Sequence, residues 1–138
     1  GVQTCALPIS LVKKQPEIFP TCVYEGTVKA NVVKWLKIGS RKLGVKLDVV
    51  SAYETRYFNN NAEYWREMQK LTNSKDVCAI IGMGEPWNHW TVVTHIKSNR
   101  VHFLDSYGIK SRSIKWFGNG ANQTQILTNE TLLIQRIG

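Results

Sequence analysis

Cysteine and histidine are scarce in this chain, three of each, and no Cys-x-x-Cys or helix-spaced His pair links them. That spacing argues against a zinc site or any other metal centre. Cys5, Cys22 and Cys78 stand too far apart, in too basic a chain, to read as a disulfide framework. Acidic residues are also few, 10 against 18 lysines and arginines, which leaves a net charge of +8. No apolar run approaches the roughly 20 residues of a membrane-spanning helix. There is no internal repeat, no low-complexity tract, no helix-turn-helix and no aromatic-interleaved RNA motif. Gly82-Met83-Gly84 is too short for a phosphate loop. No cofactor is expected, and no nucleic-acid partner.

The first nine residues, Gly1-Val2-Gln3-Thr4-Cys5-Ala6-Leu7-Pro8-Ile9, resemble the conceptual translation of a short-read sequencing adapter and are set aside from fold reasoning. On that reading Cys5 has no biological role. The natural N-terminus, with any signal peptide, is expected to be missing, so the compartment stays open, with the cytoplasm as default. Residues 10–138 remain, enough for one domain with a core of its own. Leu11-Val12-Lys13-Lys14-Gln15, followed by Pro16 and Pro20, reads as the stump of a helix.

Hydrophobic spacing then predicts a mixed architecture. Thr27 can cap a helix carrying Val28, Val32, Trp35, Leu36 and Leu43 at helical spacing, stopped by Gly44 and weakened by Gly39. Val45, Leu47 and Val49 alternate with Lys46 and Asp48, as a strand would. Asn60 or Asn61 can begin a second helix with Tyr64, Trp65, Met68 and Leu71 on one face, ending before Asn73-Ser74. From residue 76 the pattern turns to β at 77–83, 89–95, 100–105 and 113–117. Gly118 to Asn122 form a break, and Thr131 to Ile137 an apolar segment that packs back on the domain. Helices first and an antiparallel sheet after is the α+β order. The scattered cations, Lys29 to Lys46 and Arg100 to Lys115, read by default as solvated faces; a basic groove for an acidic partner is the lesser alternative.

The chemistry concentrates in one place. His89 opens one β-patterned run, and Asp105, sixteen residues on, closes the next. An imidazole oriented by a carboxylate is the base half of a nucleophilic triad. Whether the two meet depends on register. A five-residue loop at His95-Ile96-Lys97-Ser98-Asn99 pairs His89 with Asp105, Thr91 with Phe103 and Val93 with Val101. A tight turn at Ser98-Asn99 shifts the pairing by an odd number and puts the two side chains on opposite faces. The rival reading is an ordinary strand start and an ordinary Asp-Ser-Tyr-Gly turn.

Ile80-Ile81-Gly82-Met83-Gly84, Asn88-His89-Trp90-Thr91-Val92-Val93 and Phe103-Leu104-Asp105-Ser106-Tyr107-Gly108 together resemble the second half of a papain-like cysteine peptidase. The likeness is nearest to the bacteriocin-processing, double-glycine-leader peptidases, and covers about residues 76–117. It implies a papain-like fold with its N-terminal nucleophile helix truncated, and a peptide or protein substrate. His89 would be general base and acid, Asp105 the residue that orients it, and Trp90 the ring beneath the imidazole. Trp87 and Asn88, with Trp90, would touch substrate, although Trp87 could equally cover the sheet end. The family's nucleophile begins a buried helix near the N-terminus, where helix dipole and imidazolium lower the thiol pKa. Here that cysteine is expected to be lost by truncation, leaving this chain inactive. Cys22 has the wrong surroundings and Cys78 sits in an apolar strand. A transglutaminase-like or SUMO-protease-like thiol enzyme, and a non-catalytic peptide-binding domain, are the alternatives.

Overall fold

The computed structural model describes residues 28–137. Two helices and a six-stranded antiparallel sheet make an α+β domain. Helix α1 (Lys29–Leu43) ends where Gly44 takes the left-handed conformation, φ 64°. The Gly44 N–H bonds Arg41 O and the Val45 N–H bonds Ser40 O, closing the last turn as a residue with a Cβ would do only under strain. Thr27, expected as its cap, lies outside the described residues; Val28 holds the N-cap position with no side-chain bond. Gly39 does not interrupt the helix and lies on its buried side.

Strand β1 (Leu47–Ser51) follows, then helix α2 (Asn61–Thr72), β2 (Val77–Met83), β3 (His89–Lys97), β4 (Arg100–Leu104), β5 (Ser111–Ser113) and β6 (Ile126–Arg136). The Asn60 side chain accepts from the Glu63 N–H, so α2 starts where its capping residue dictates. Leu71, expected on its buried face, is 39% exposed, and Thr72 is buried instead with its hydroxyl donating to Met68 O. The strand expected at 113–117 is the short β5 followed by a single 3-10 turn, Ile114–Trp116.

The sheet runs β1-β6-β2-β3-β4-β5. The last strand therefore lies inside the sheet, between β1 and β2. Each face carries one helix. Tyr64, Trp65 and Met68 of α2 pack with Ala79, Ile81, Val93, Val101, Phe103 and Phe117. Val32 and Leu36 of α1 pack on the other face with Ile80, Leu132, Ile134 and Trp90. Burying each large side chain of these clusters contributes about 1.5–3 kcal/mol. The Tyr64 hydroxyl finds the Thr131 hydroxyl at 2.8 Å, so its burial leaves no polar atom unpaired there. The two helices flank the sheet, one on each face, in keeping with the expected α+β class. No helix among the described residues is long and apolar enough to cross a membrane.

Candidate active site

Register decides whether the site exists, and it is set in two steps. The β3–β4 hairpin turns tightly at Ser98-Asn99, both with positive φ (53° and 59°), the two-residue turn whose twist matches that of the strands. Beside it Lys97 pairs with Arg100, Ile96 with Val101 and His95 with His102. This is the tight turn whose register, carried through unbroken, separates His89 from Asp105. A β-bulge reverses that consequence. Thr94 has no partner across the ladder, and beyond it Val93 pairs with Phe103 and Val92 with Leu104. One extra residue flips the face of everything that follows. The burial pattern records the flip: Ile96 is buried beyond the bulge, but His89, Thr91 and Val93 before it. The Thr94 hydroxyl bonds His102 O at 3.3 Å and meets His95 Nδ1 at 3.1 Å, so the unpaired residue is anchored.

Odd-numbered residues of β3 up to Val93 thus share a face with those of β4, and His89 Nε2 lies 2.6 Å from Asp105 Oδ1. The pair is diagonal, not directly opposed as the five-residue loop would have made it. Both residues are 8% exposed. The second carboxylate oxygen, Oδ2, accepts the Tyr107 backbone N–H at 2.8 Å, and the Gly108 N–H returns to Asp105 O at 3.2 Å. Asp-Ser-Tyr-Gly is thus a turn that holds the carboxylate from both ends. Gly108 takes the positive φ, 80°, that the turn requires.

Burial pushes the Asp105 carboxyl upward, but the Thr91 hydroxyl, His89 and the Tyr107 N–H outweigh it and hold it below the usual carboxylate range. Thr91 is 1% exposed, and its hydroxyl faces the carboxylate without a hydrogen bond of good geometry to any described atom. An ionised carboxylate only accepts, so Nε2 carries the proton shared with Asp105 Oδ1. Nδ1 makes no hydrogen bond among the described residues.

The loop before His89 is fastened to Gln125, the residue that leads into β6. The Gly84 N–H donates to Gln125 O and the Gln125 N–H to Glu85 O, both at 2.8 Å. Asn88, at φ 44°, bonds Gly84 O through its backbone and Glu85 Oε1 through its side chain at 3.1 Å. Of the residues expected to touch substrate, Trp87 and Asn88 lie on this exposed loop. Trp90 does not join them: it packs in the cluster on the opposite face with Ile80 and Leu132. The ring stacked on the imidazole is Tyr107, with centroids 4.3 Å apart and planes 27° apart. Neither Tyr107 nor Thr91 stands out in the sequence, although the Asp-x-Tyr spacing of a side-chain-to-backbone turn carries the signal for the first.

Cys78 is no partner for His89. It belongs to the opposite face, five residues along β2 from Met83, which pairs with His89, a separation of about 16 Å. Burial raises its thiol pKa. Cys5 and Cys22 lie outside the described residues. His95 and His102 stack on each other at 4.2 Å on the hairpin's other side, and no group of three metal-binding side chains exists among the described residues. A shallow concavity bordered by Glu63, Arg66, Glu67 and Lys70 lies on the outer side of α2 and includes neither member of the pair. No protein-family model matches the chain, nor does any curated protein or solved structure.

Proposed function

We propose that His89 and Asp105 are the base half of a thiol-dependent peptide hydrolase of the papain-like kind. The observation that carries this reading is the buried 2.6 Å contact between Nε2 and Asp105 Oδ1, with Nδ1 uncommitted among the described residues. In the proposed reaction Nδ1 takes the proton of a cysteine thiol supplied from outside the described residues. The thiolate attacks the peptide carbonyl, and the imidazolium gives its proton to the leaving amine. Water, deprotonated by the same imidazole, then cleaves the acyl-enzyme. Asp105 stays ionised throughout and stabilises the imidazolium. The resemblance of residues 76–117 to the second half of papain-like peptidases supports the same assignment.

The test begins at the source gene, sequenced with long reads through the codons preceding Leu11. The expected result is an in-frame cysteine at a helix start. The protein extended to include it should cleave peptides, and His89→Ala should abolish cleavage. A gene without such a cysteine, or an extended protein whose activity survives His89→Ala, overturns the proposal. The chain of 138 residues by itself is expected to be inert, and peptide hydrolysis abolished by Cys22→Ala would contradict that.

A further inference from the structure

Beside the dyad lie three neighbouring rings, two of them exposed among the described residues and the third, Trp116, half-buried against the core. Tyr107, stacked on His89, is 63% exposed, and Trp87 is 38% exposed. Their centroids lie 6.3 Å apart, and Trp87 lies 6.1 Å from Trp116. The Arg112 guanidinium stands 5.3 Å from the centre of the Trp116 ring. Single exposed aromatics are ordinary on a protein surface, but contiguous ones next to a buried His–Asp pair mark a contact surface.

Charge gives this surface a sign. Arg112 stands against Trp116 and Lys115 precedes that ring in the chain, while Asp105 is buried and committed to His89; Lys97 and Arg100 lie at the far end of the hairpin. Neither Arg112 nor Lys115 forms an ion pair among the described residues. The rings are tilted against one another by 35° and 58°. They present angled walls that suit an apolar side chain rather than the flat platform on which a nucleobase stacks.

We propose that Trp87, Tyr107 and Trp116, with Arg112 and Lys115, recognise an acidic peptide segment that carries an aromatic or large aliphatic residue. The rings take the apolar side chain and the cations take the flanking carboxylates. This rests on the peptidase reading only in naming a peptide as the occupant, and it assigns that peptide's chemistry.

The test uses the full chain, isotopically labelled, and follows the indole N–H signals of Trp87 and Trp116 by NMR. The probes are Gly-Asp-Glu-Phe-Asp-Gly, its Asn/Gln counterpart, its all-lysine counterpart and a short oligothymidylate. The acidic peptide should shift both indoles, the neutral one should bind more weakly and the lysine one should not bind. Arg112→Gln and Lys115→Gln, both at the surface, should each weaken the acidic peptide by up to about fivefold, with the neutral peptide unaffected. Equal affinity for neutral and acidic peptides, no response at either indole, or tighter binding of the oligothymidylate overturns the inference. The measurement needs no turnover. A gene lacking the upstream cysteine would remove the peptidase reading and leave this surface standing, whereas failure of peptide binding would remove the surface alone.

Discussion

Replacing Asp105 with asparagine tests both the site and the electrostatics assigned to it. The carboxylate accepts from His89 Nε2 at 2.6 Å and from the Tyr107 N–H at 2.8 Å, and its side chain has no solvent exposure. The replacement amide can still accept from the backbone N–H, but its own donors face a ring nitrogen that was itself donating. The loss is one charge-assisted bond, about 1.5–3 kcal/mol. A carboxyl whose folded pKa is depressed stabilises the fold above its unfolded value of about 3.9. That contribution is lost as pH falls through the depressed folded value. The Asp105 carboxyl is depressed, after burial is outweighed by Thr91, His89 and Tyr107. Urea unfolding followed by tryptophan fluorescence should therefore show the full gap between wild type and Asp105→Asn at about pH 7, narrowing below about pH 4. Imidazole nitrogen shifts should show the proton fixed on Nε2 in the wild type and redistributed in the variant. A gap of constant size across that pH range, or an unchanged tautomer, would refute the reasoning.

Deleting Thr94 removes the bulge and makes the ladder continuous: with the Ser98-Asn99 turn retained, His95 still faces His102, and Val93, at 0% exposure, still faces Phe103. The buried face is kept, so circular dichroism should show a cooperative fold for the deletion as for Thr94→Ala. A deletion variant that loses the His89–Asp105 contact would be inconsistent with Thr94 being the one extra residue that sets the register. Gly82 admits no Cβ without meeting the Glu130 side chain, 2.6 Å from Oε2 and 3.0 Å from Cβ. Gly82→Ala should destabilise by about 1–3 kcal/mol, with partial recovery in the double variant Gly82→Ala, Glu130→Ala; no recovery in thermal unfolding would point to backbone conformation instead. Asn60→Ala removes the acceptor of the Glu63 N–H and should cost about 1 kcal/mol in denaturant unfolding. A neutral result would mean that water replaces the cap.

Much of this protein is local, and what is local is legible. The Gly44 stop and the Asn60 start follow from backbone chemistry within one turn of the residues concerned. The run from Val77 to Met83, apolar without alternation, marks a strand covered on both faces, and β2 has those limits, with α1 and α2 on either side of the sheet. The candidates His89 and Asp105 are also visible, because a histidine and a carboxylate at the facing ends of two strands imply a possible pairing whatever the fold.

Their meeting is not visible. A tight turn and a bulge each shift register by an odd step, and only their sum restores the parity that puts His89 and Asp105 on one face. Nothing in Val93-Thr94-His95 marks a bulge, since an unpaired residue is stabilised by what lies across the sheet: Thr94 is held by the carbonyl of His102. The same reason hides the place of β6, whose partners β1 and β2 are distant in sequence. It also hides the exchange of Trp90 for Tyr107 against the imidazole. Caps, stops and alternation are written residue by residue, so the sequence by itself determined the helices, most of the strands and the candidate pair. Register, strand order and the ring beside His89 are settled by contacts across the sheet, and only the tertiary structure decided them.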